Sequence, residues 1–161
     1  MKIYFVISSS SLGEEIEVSK VFNSLKEAKE TLKATFNEIK EELYGEKYQS
    51  KLLNVSYSIT AEDNAYCGNV VTFDIPEGTK TVYAVITSDG VQNADVFLNK
   101  NEAEEYFKEE YLSWKAEFGL EDYKEGDELP LDHHLVLTDD RFLVQNYKYS
   151  IIGALETLTI N

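Results

Sequence analysis

The sequence predicts an α+β protein of two tandem ββαββ-like repeats, each an antiparallel sheet covered by one helix. Three observations carry this prediction. The chain matches itself in ordered blocks. Two stretches place apolar residues at one and the same helical spacing. Runs rich in β-branched and aromatic residues flank each of those stretches.

The self-match begins at the N-terminal end of each copy. Tyr4-Phe5-Val6-Ile7-Ser8 aligns with Tyr83-Ala84-Val85-Ile86-Thr87, Val21-Phe22 with Val96-Phe97, and Glu27-Ala28 with Glu102-Ala103. Further on, Tyr57-Ser58-Ile59 aligns with Tyr149-Ser150-Ile151, and residues 71–75 align with 156–160. The order is kept and only the connecting lengths differ. Residues 1–79 and 80–161 therefore read as a first and a second copy of one unit, joined by the short segment Pro76-Glu77-Gly78-Thr79.

Taken in order, residues 3–9 and 17–22 predict two strands, with a turn at the serines of residues 8–11 and Leu12-Gly13. Ser24 is placed to cap the helix that follows. Ala28, Leu32, Phe36, Ile39 and Leu43 step by four, four, three and four, which puts them on one helical face. Gly45 stands just beyond, where a left-handed residue can end a helix. Residues 52–60 and 70–75 then predict a strand pair. In the second copy, residues 81–88 and 94–98 predict the opening strands, and Asn99 the cap. Ala103, Phe107, Tyr111, Trp114 and Phe118 repeat the same steps, and Gly119 ends the helix. Residues 135–137, 142–152 and 154–160 predict the closing strands. Asp139-Asp140 reads as a tight turn, and Gly153 as the last turn or a bulge.

The composition sets limits. A chain of 161 residues suits one domain or two small units, and 43% hydrophobic residues suffice for a buried core. Cys67 is the only cysteine, so no intrachain disulfide can form. Residues 1–7 are too short an apolar run for a signal peptide, and no stretch approaches the ~20 apolar residues of a membrane span. A reducing, cytoplasmic location is expected.

Charge is the unusual property. With 15 basic and 30 acidic residues the net charge is −15. Nucleic acid and anionic membranes would repel such a chain, while a basic protein would attract it. The first copy holds 8 basic and 13 acidic residues, and the second holds 7 and 17. Residues 102–132 alone contain twelve acids against Lys108, Lys115 and Lys124, and part of this excess lies in an insert, residues 119–134. The candidate binding residues are Glu102, Glu105, Glu109, Glu110, Glu117, Glu121, Asp122, Glu125, Asp127, Glu128 and Asp132, with Tyr106 and Tyr123 as aromatic anchors. Glu102, Glu105 and Glu109 step by three and four along one exposed helix face. At ~5.4 Å per turn their carboxylates can meet lysines and arginines arranged for phosphates. The plain alternative is a solvated helix face with acids near its positive end.

Catalytic patterns find little support. The serines before Gly13 lack the lysine and spacing of a phosphate loop, and no G-x-S-x-G elbow occurs. Cys67 has no base near it in sequence and reads as an inert thiol. His133 and His134 would point to opposite faces of a strand. Asp127, Glu128, Asp132, Asp139 and Asp140 fit no EF-hand spacing. No catalytic residue, metal or cofactor is expected.

Tyr83-Ala84-Val85-Ile86, then Val96-Phe97, then Asn101-Glu102-Ala103-Glu104-Glu105-Tyr106 resembles small proteins encoded by phages and mobile elements of low-GC bacteria. Tyr4–Ile7, Val21-Phe22 and Leu25-Lys26-Glu27-Ala28 repeat the pattern, which covers about 25 residues of each copy. Acidic anti-CRISPR proteins, of similar size and charge, occur in that genetic setting. The resemblance implies anti-defence activity, and a host cytoplasm if the chain is phage-encoded. The expectation is a non-enzymatic inhibitor, a nucleic-acid mimic that blocks a basic surface on a nuclease such as a Cas effector. An immunity or interaction protein neutralising a basic toxin or other basic partner is the alternative, and a small-ligand binder or enzyme comes third.

Overall fold

A computed structural model describes residues 1–11 and 15–161. The chain divides into two compact units, Met1–Lys80 with Thr159–Asn161, and Thr81–Leu158. Among the described residues, no helix is long and apolar enough to cross a membrane.

The first unit contains β1 (Lys2–Ser10), β2 (Glu15–Val18), α1 (Leu25–Glu42), β3 (Tyr48–Leu52), β4 (Ser56–Ala61) and β5 (Ala65–Asp74). The second contains β6 (Thr81–Ser88), β7 (Gln92–Phe97), α2 (Lys100–Glu117), β8 (His134–Leu137), β9 (Arg141–Gln145) and β10 (Ser150–Thr159). The sheets have the orders β2-β1-β5-β4-β3 and β7-β6-β10-β9-β8. Each unit is thus an antiparallel sheet with one helix packed on it, and the α+β expectation holds. Each has three strands after the helix, giving ββαβββ: one more than the two expected in the first unit, and the same number as the three closing runs of the second.

The extra strand lies where alternation is weak. Four of the five residues of β3 are exposed, so that edge strand carries no buried stripe to mark it. The run of residues 52–60 is broken between Leu52 and Ser56, where the Leu53 N–H donates to the Ser56 carbonyl at 2.8 Å. The run of residues 142–152 breaks at Asn146, whose side chain accepts from the N–H groups of Lys148 and Tyr149. Ser8–Ser10 belong to β1 and make no turn; Leu12-Gly13 lies outside the described residues.

Both helices sit as their stripes require. Ala28, Leu32, Phe36 and Leu43 pack with Val6, Phe22, Tyr57 and Ile59. Ala103, Phe107 and Tyr111 pack with Val85, Leu135, Phe142, Val144 and Ile151. Ile3, Phe5 and Ile7, on the face of β1 away from Val6, are buried as well. The two units share a register detail: Tyr4 bridges Phe22, and Tyr83 pairs with Phe97. Asn99 caps α2 by accepting from the Asn101 and Glu102 N–H groups at 2.8 and 3.3 Å. Ser24 stands at the N-cap of α1 with extended backbone, yet its hydroxyl makes no cap bond.

A glycine beneath an aromatic ring fixes the second half of each unit. Tyr57 on β4 pairs with Gly68 on β5, and Phe142 on β9 pairs with Gly153 on β10. A Cβ at Gly68 would come within 2.2 Å of the Tyr57 ring, and one at Gly153 within 2.2 Å of the Phe142 ring. Gly153 is therefore neither turn nor bulge: it lies inside a strand and gives the ring room to lie flat across it. These pairs make Phe142 the counterpart of Tyr57, so the alignment of Tyr57 with Tyr149 is a misregister. Tyr149 precedes β10, in the turn that Asn146 holds.

Two stability predictions follow from this pairing. Phe142 is held between Phe107 and Tyr111, with ring centroids 5.3 and 5.7 Å away, so it cannot swing aside. Gly153→Ala should destabilise the protein by about 1–3 kcal/mol in urea unfolding, the usual cost of overpacking, with part recovered when Phe142→Leu is added. Among the described residues the buried Tyr57 hydroxyl makes no hydrogen bond of good geometry, the Ser8 side chain being at most a weak partner, whereas its counterpart is a phenylalanine. Tyr57→Phe should be neutral or stabilising by up to about 1 kcal/mol; a clear loss of stability would refute the equivalence.

Candidate functional site

The geometry of α2 decides which of its acids can act together. The helix buries Ala103, Phe107, Tyr111 and Lys115. Glu102, Glu105 and Glu109 are exposed and share the outward face, spread over ~10 Å of axis. Glu110 lies on a flank, half-buried, accepting from the Trp114 indole N–H at 3.2 Å. Glu117 is exposed in the last turn. Glu104 is taken up by Lys100, 3.4 Å away.

The helix ends in a glycine-based cap. Gly119 has φ 71°, its N–H donates to the Ala116 carbonyl at 3.1 Å, and the Leu120 N–H reaches the Lys115 carbonyl at 2.8 Å. This is the paired bonding of a Schellman motif, with Leu120 buried as its hydrophobic contact. The acidic segment then begins anchored to the core, and Tyr123 and Leu129 pack against it too. Asp127 closes a turn by accepting from the Lys124 N–H at 2.8 Å, with Gly126 at φ 87°. Asp132 takes the left-handed conformation at φ 62°, which aspartate tolerates better than most residues.

Lys115 is the unexpected member. Only 6% exposed, it lies on the core side of α2 and donates to the Tyr123 carbonyl at 2.5 Å. Its ammonium stands 5.5 Å from the centre of the Tyr111 ring. The Tyr111 hydroxyl, from the buried face of the helix, donates to the Glu125 carboxylate. That bond is the main cause holding the Glu125 carboxyl below its usual range, with the Lys115 charge a smaller contributor. Burial, then Glu125, pushes the Tyr111 phenol upward. Two long polar contacts thus tie the segment back to the helix it follows.

The sequence-derived residues separate accordingly. Glu121, Asp122, Glu125, Asp127, Glu128 and Asp132 are exposed in the segment after α2. Among the described residues, none of the eleven candidate carboxylates has a lysine or arginine within 4 Å. Tyr106 and Tyr123 are not free anchors. Tyr106 is half-buried on Phe97, with ring centroids 5.1 Å apart, and its hydroxyl donates to Asp95 at 2.9 Å. Tyr123 is half-buried in the core. Leu112, 58% exposed on α2, and Leu131, 87% exposed in the segment, are the large apolar groups that face solvent there. The described residues contain no group of three or more His, Cys, Asp or Glu side chains placed to hold a metal ion.

No family model, curated protein or solved structure matches the chain. The site is read from its own chemistry. At the N-terminal end of α2, Glu102 is explained by the cap and the helix dipole. Glu117 and the acids after it face the opposite, partially negative end, where the dipole disfavours them, so helix stability does not account for them.

Lys115→Ala should loosen residues 119–133 and cost about 1–3 kcal/mol, the range for leaving a buried polar partner unpaired; amide exchange would read both. Because the folded-state pKa of Glu125 is depressed, its contribution is fully present above the ordinary carboxylate value of about 4.3. It is lost as pH falls through the lowered value. The protection of amides in residues 119–133, relative to their intrinsic exchange at each pH, should therefore fall on acidification, and Glu125→Gln should flatten that dependence.

Proposed function

We infer that this chain is a non-enzymatic inhibitor that presents the acidic face of its second unit to a basic, nucleic-acid-binding surface of a nuclease such as a CRISPR Cas effector. The observation that carries the reading is a run of exposed carboxylates on α2 and the following segment with no lysine or arginine within 4 Å among the described residues. Lys115, one of three lysines within this stretch, is spent inside the core on Tyr123 and Tyr111.

The mechanism is competition. A groove built for nucleic acid holds lysines and arginines at phosphate spacing, with condensed anions around them. Carboxylates on successive helical turns engage such cations and release their counterions, as phosphates do. The segment beyond α2 is tethered by Leu120, Tyr123 and the Tyr111–Glu125 bond, so its acids are held in place before binding and lose less freedom on contact. The net charge of −15 steers the approach toward a positive surface and makes it sensitive to salt.

Glu102→Lys, Glu105→Lys and Glu109→Lys combined should slow association with an inhibited nuclease by about tenfold or more at 0.1 M salt, with a smaller change in dissociation. The three side chains are exposed, so the circular dichroism spectrum should be kept, with a melting temperature only a few degrees lower from the loss of the favourable Glu102–dipole interaction. Surface plasmon resonance across a salt series is the test. Unchanged association in the triple variant, or inhibition undiminished at high salt, would contradict the reading.

A further inference from the structure

One flank of the first helix presents lysines, although α1 as a whole holds four lysines and five glutamates. Lys26, Lys29, Lys33 and Lys40 step by three, four and seven along α1, so they form one ribbon down a flank of that helix. Leu25, Lys26, Lys29, Glu30 and Lys33 line a shallow, open groove of about 440 Å³ there. Lys26 reaches Glu30 only at 3.9 Å, with both side chains largely exposed, and Lys29 donates to the neutral Asn54 at 2.7 Å. Among the described residues, Lys26 is thus the one ribbon lysine with a carboxylate within 4 Å.

We propose that this lysine ribbon docks the Glu102-Glu105-Glu109 row of a second copy of the chain, giving a weak, reversible self-association. The spacing fits. Lys26-Lys29-Lys33 and Glu102-Glu105-Glu109 both step by three and then four, so each row spans ~10 Å at ~1.5 Å per residue. Set antiparallel, with Lys33 opposite Glu102 and Lys26 opposite Glu109, the two end pairs match and Lys29 falls one residue, ~1.5 Å along the axis, from Glu105. The helix dipoles then oppose one another favourably.

The contact joins different surfaces of two identical chains and is therefore heterologous. The net charge of −15 opposes it at long range, but that repulsion is screened beyond about 8–10 Å at physiological salt, while the rows act at contact. Self-association would cover the outward row of α2 until a more basic surface displaced the second copy.

Charge exchange tests this independently of the inhibitory reading. Sedimentation velocity of the full chain over a concentration series at 0.1 M salt should show reversible association. K26E/K29E/K33E should weaken it by about tenfold or more, and so should E102K/E105K/E109K. Combining all six changes in one chain keeps the net charge at −15 and restores complementary rows, so association should return. An equimolar mixture of the two triple variants should also associate. A wild-type chain that stays monomeric to millimolar concentration overturns the proposal, as does a six-fold variant no better than the triples. K26E/K29E/K33E should leave nuclease inhibition intact, which separates failure of this contact from failure of the inhibitory function.

Discussion

A buried cation organises the acidic side of this protein. Lys115 belongs by position to the core stripe of α2, one turn after Tyr111, and its ammonium is spent on the Tyr123 carbonyl and the Tyr111 ring. Two consequences follow. The segment after the helix is held against the core and does not drift. The acids of that segment other than Glu125 lose a lysine that would otherwise be free to pair with them. Burying an ammonium is costly unless its donors are satisfied and an opposing charge lies near. The carbonyl, the ring and the Glu125 carboxylate together provide that environment.

The scaffold beneath is the same device used twice. In each unit a helix stripe lies on one face of a five-stranded antiparallel sheet, and an aromatic ring crosses a strand glycine to fill the space under the helix. Tyr57 over Gly68 and Phe142 over Gly153 are the same contact in the two units. The repeated core leaves the helix surfaces free to differ. One carries a lysine ribbon, and the other a carboxylate row continued by an acidic segment. Divergence of charge on a conserved-shape frame is what makes the excess of acid in the second unit informative: the fold itself does not require it.

The helices were legible because their apolar steps of four, four, three and four are a direct imprint of helical geometry, and Asn99 and Gly119 bracket α2 where local chemistry demands. The sheets were less so. Strand β3 exposes Gln49, Ser50, Lys51 and Leu52, so it leaves no period-two signal, and two turns were hidden inside apolar runs. Gly153 misled because a glycine that makes room for a ring looks, in sequence, like one that makes a turn. The paired tyrosines Tyr57 and Tyr149 misled because identity of residue type outweighed position. At the site, the shared face of Glu102, Glu105 and Glu109 was readable from spacing alone. The inward turn of Lys115 was not read, although its place four residues after Tyr111 was the available signal. Sequence does not reveal that the Phe97 ring lies beneath Tyr106 and the core beneath Tyr123.

Carboxyl footprinting measures the central claim most directly. The protein would be labelled by carbodiimide and an amine, alone and in complex with a nuclease that it inhibits, and the modified acids mapped by mass spectrometry. Complex formation is expected to shield Glu102, Glu105, Glu109 and the acids of residues 117–132, while Glu41, Glu42 and Glu46 beside α1 stay reactive. Equal labelling in both states, or shielding confined to the first unit, would contradict the account.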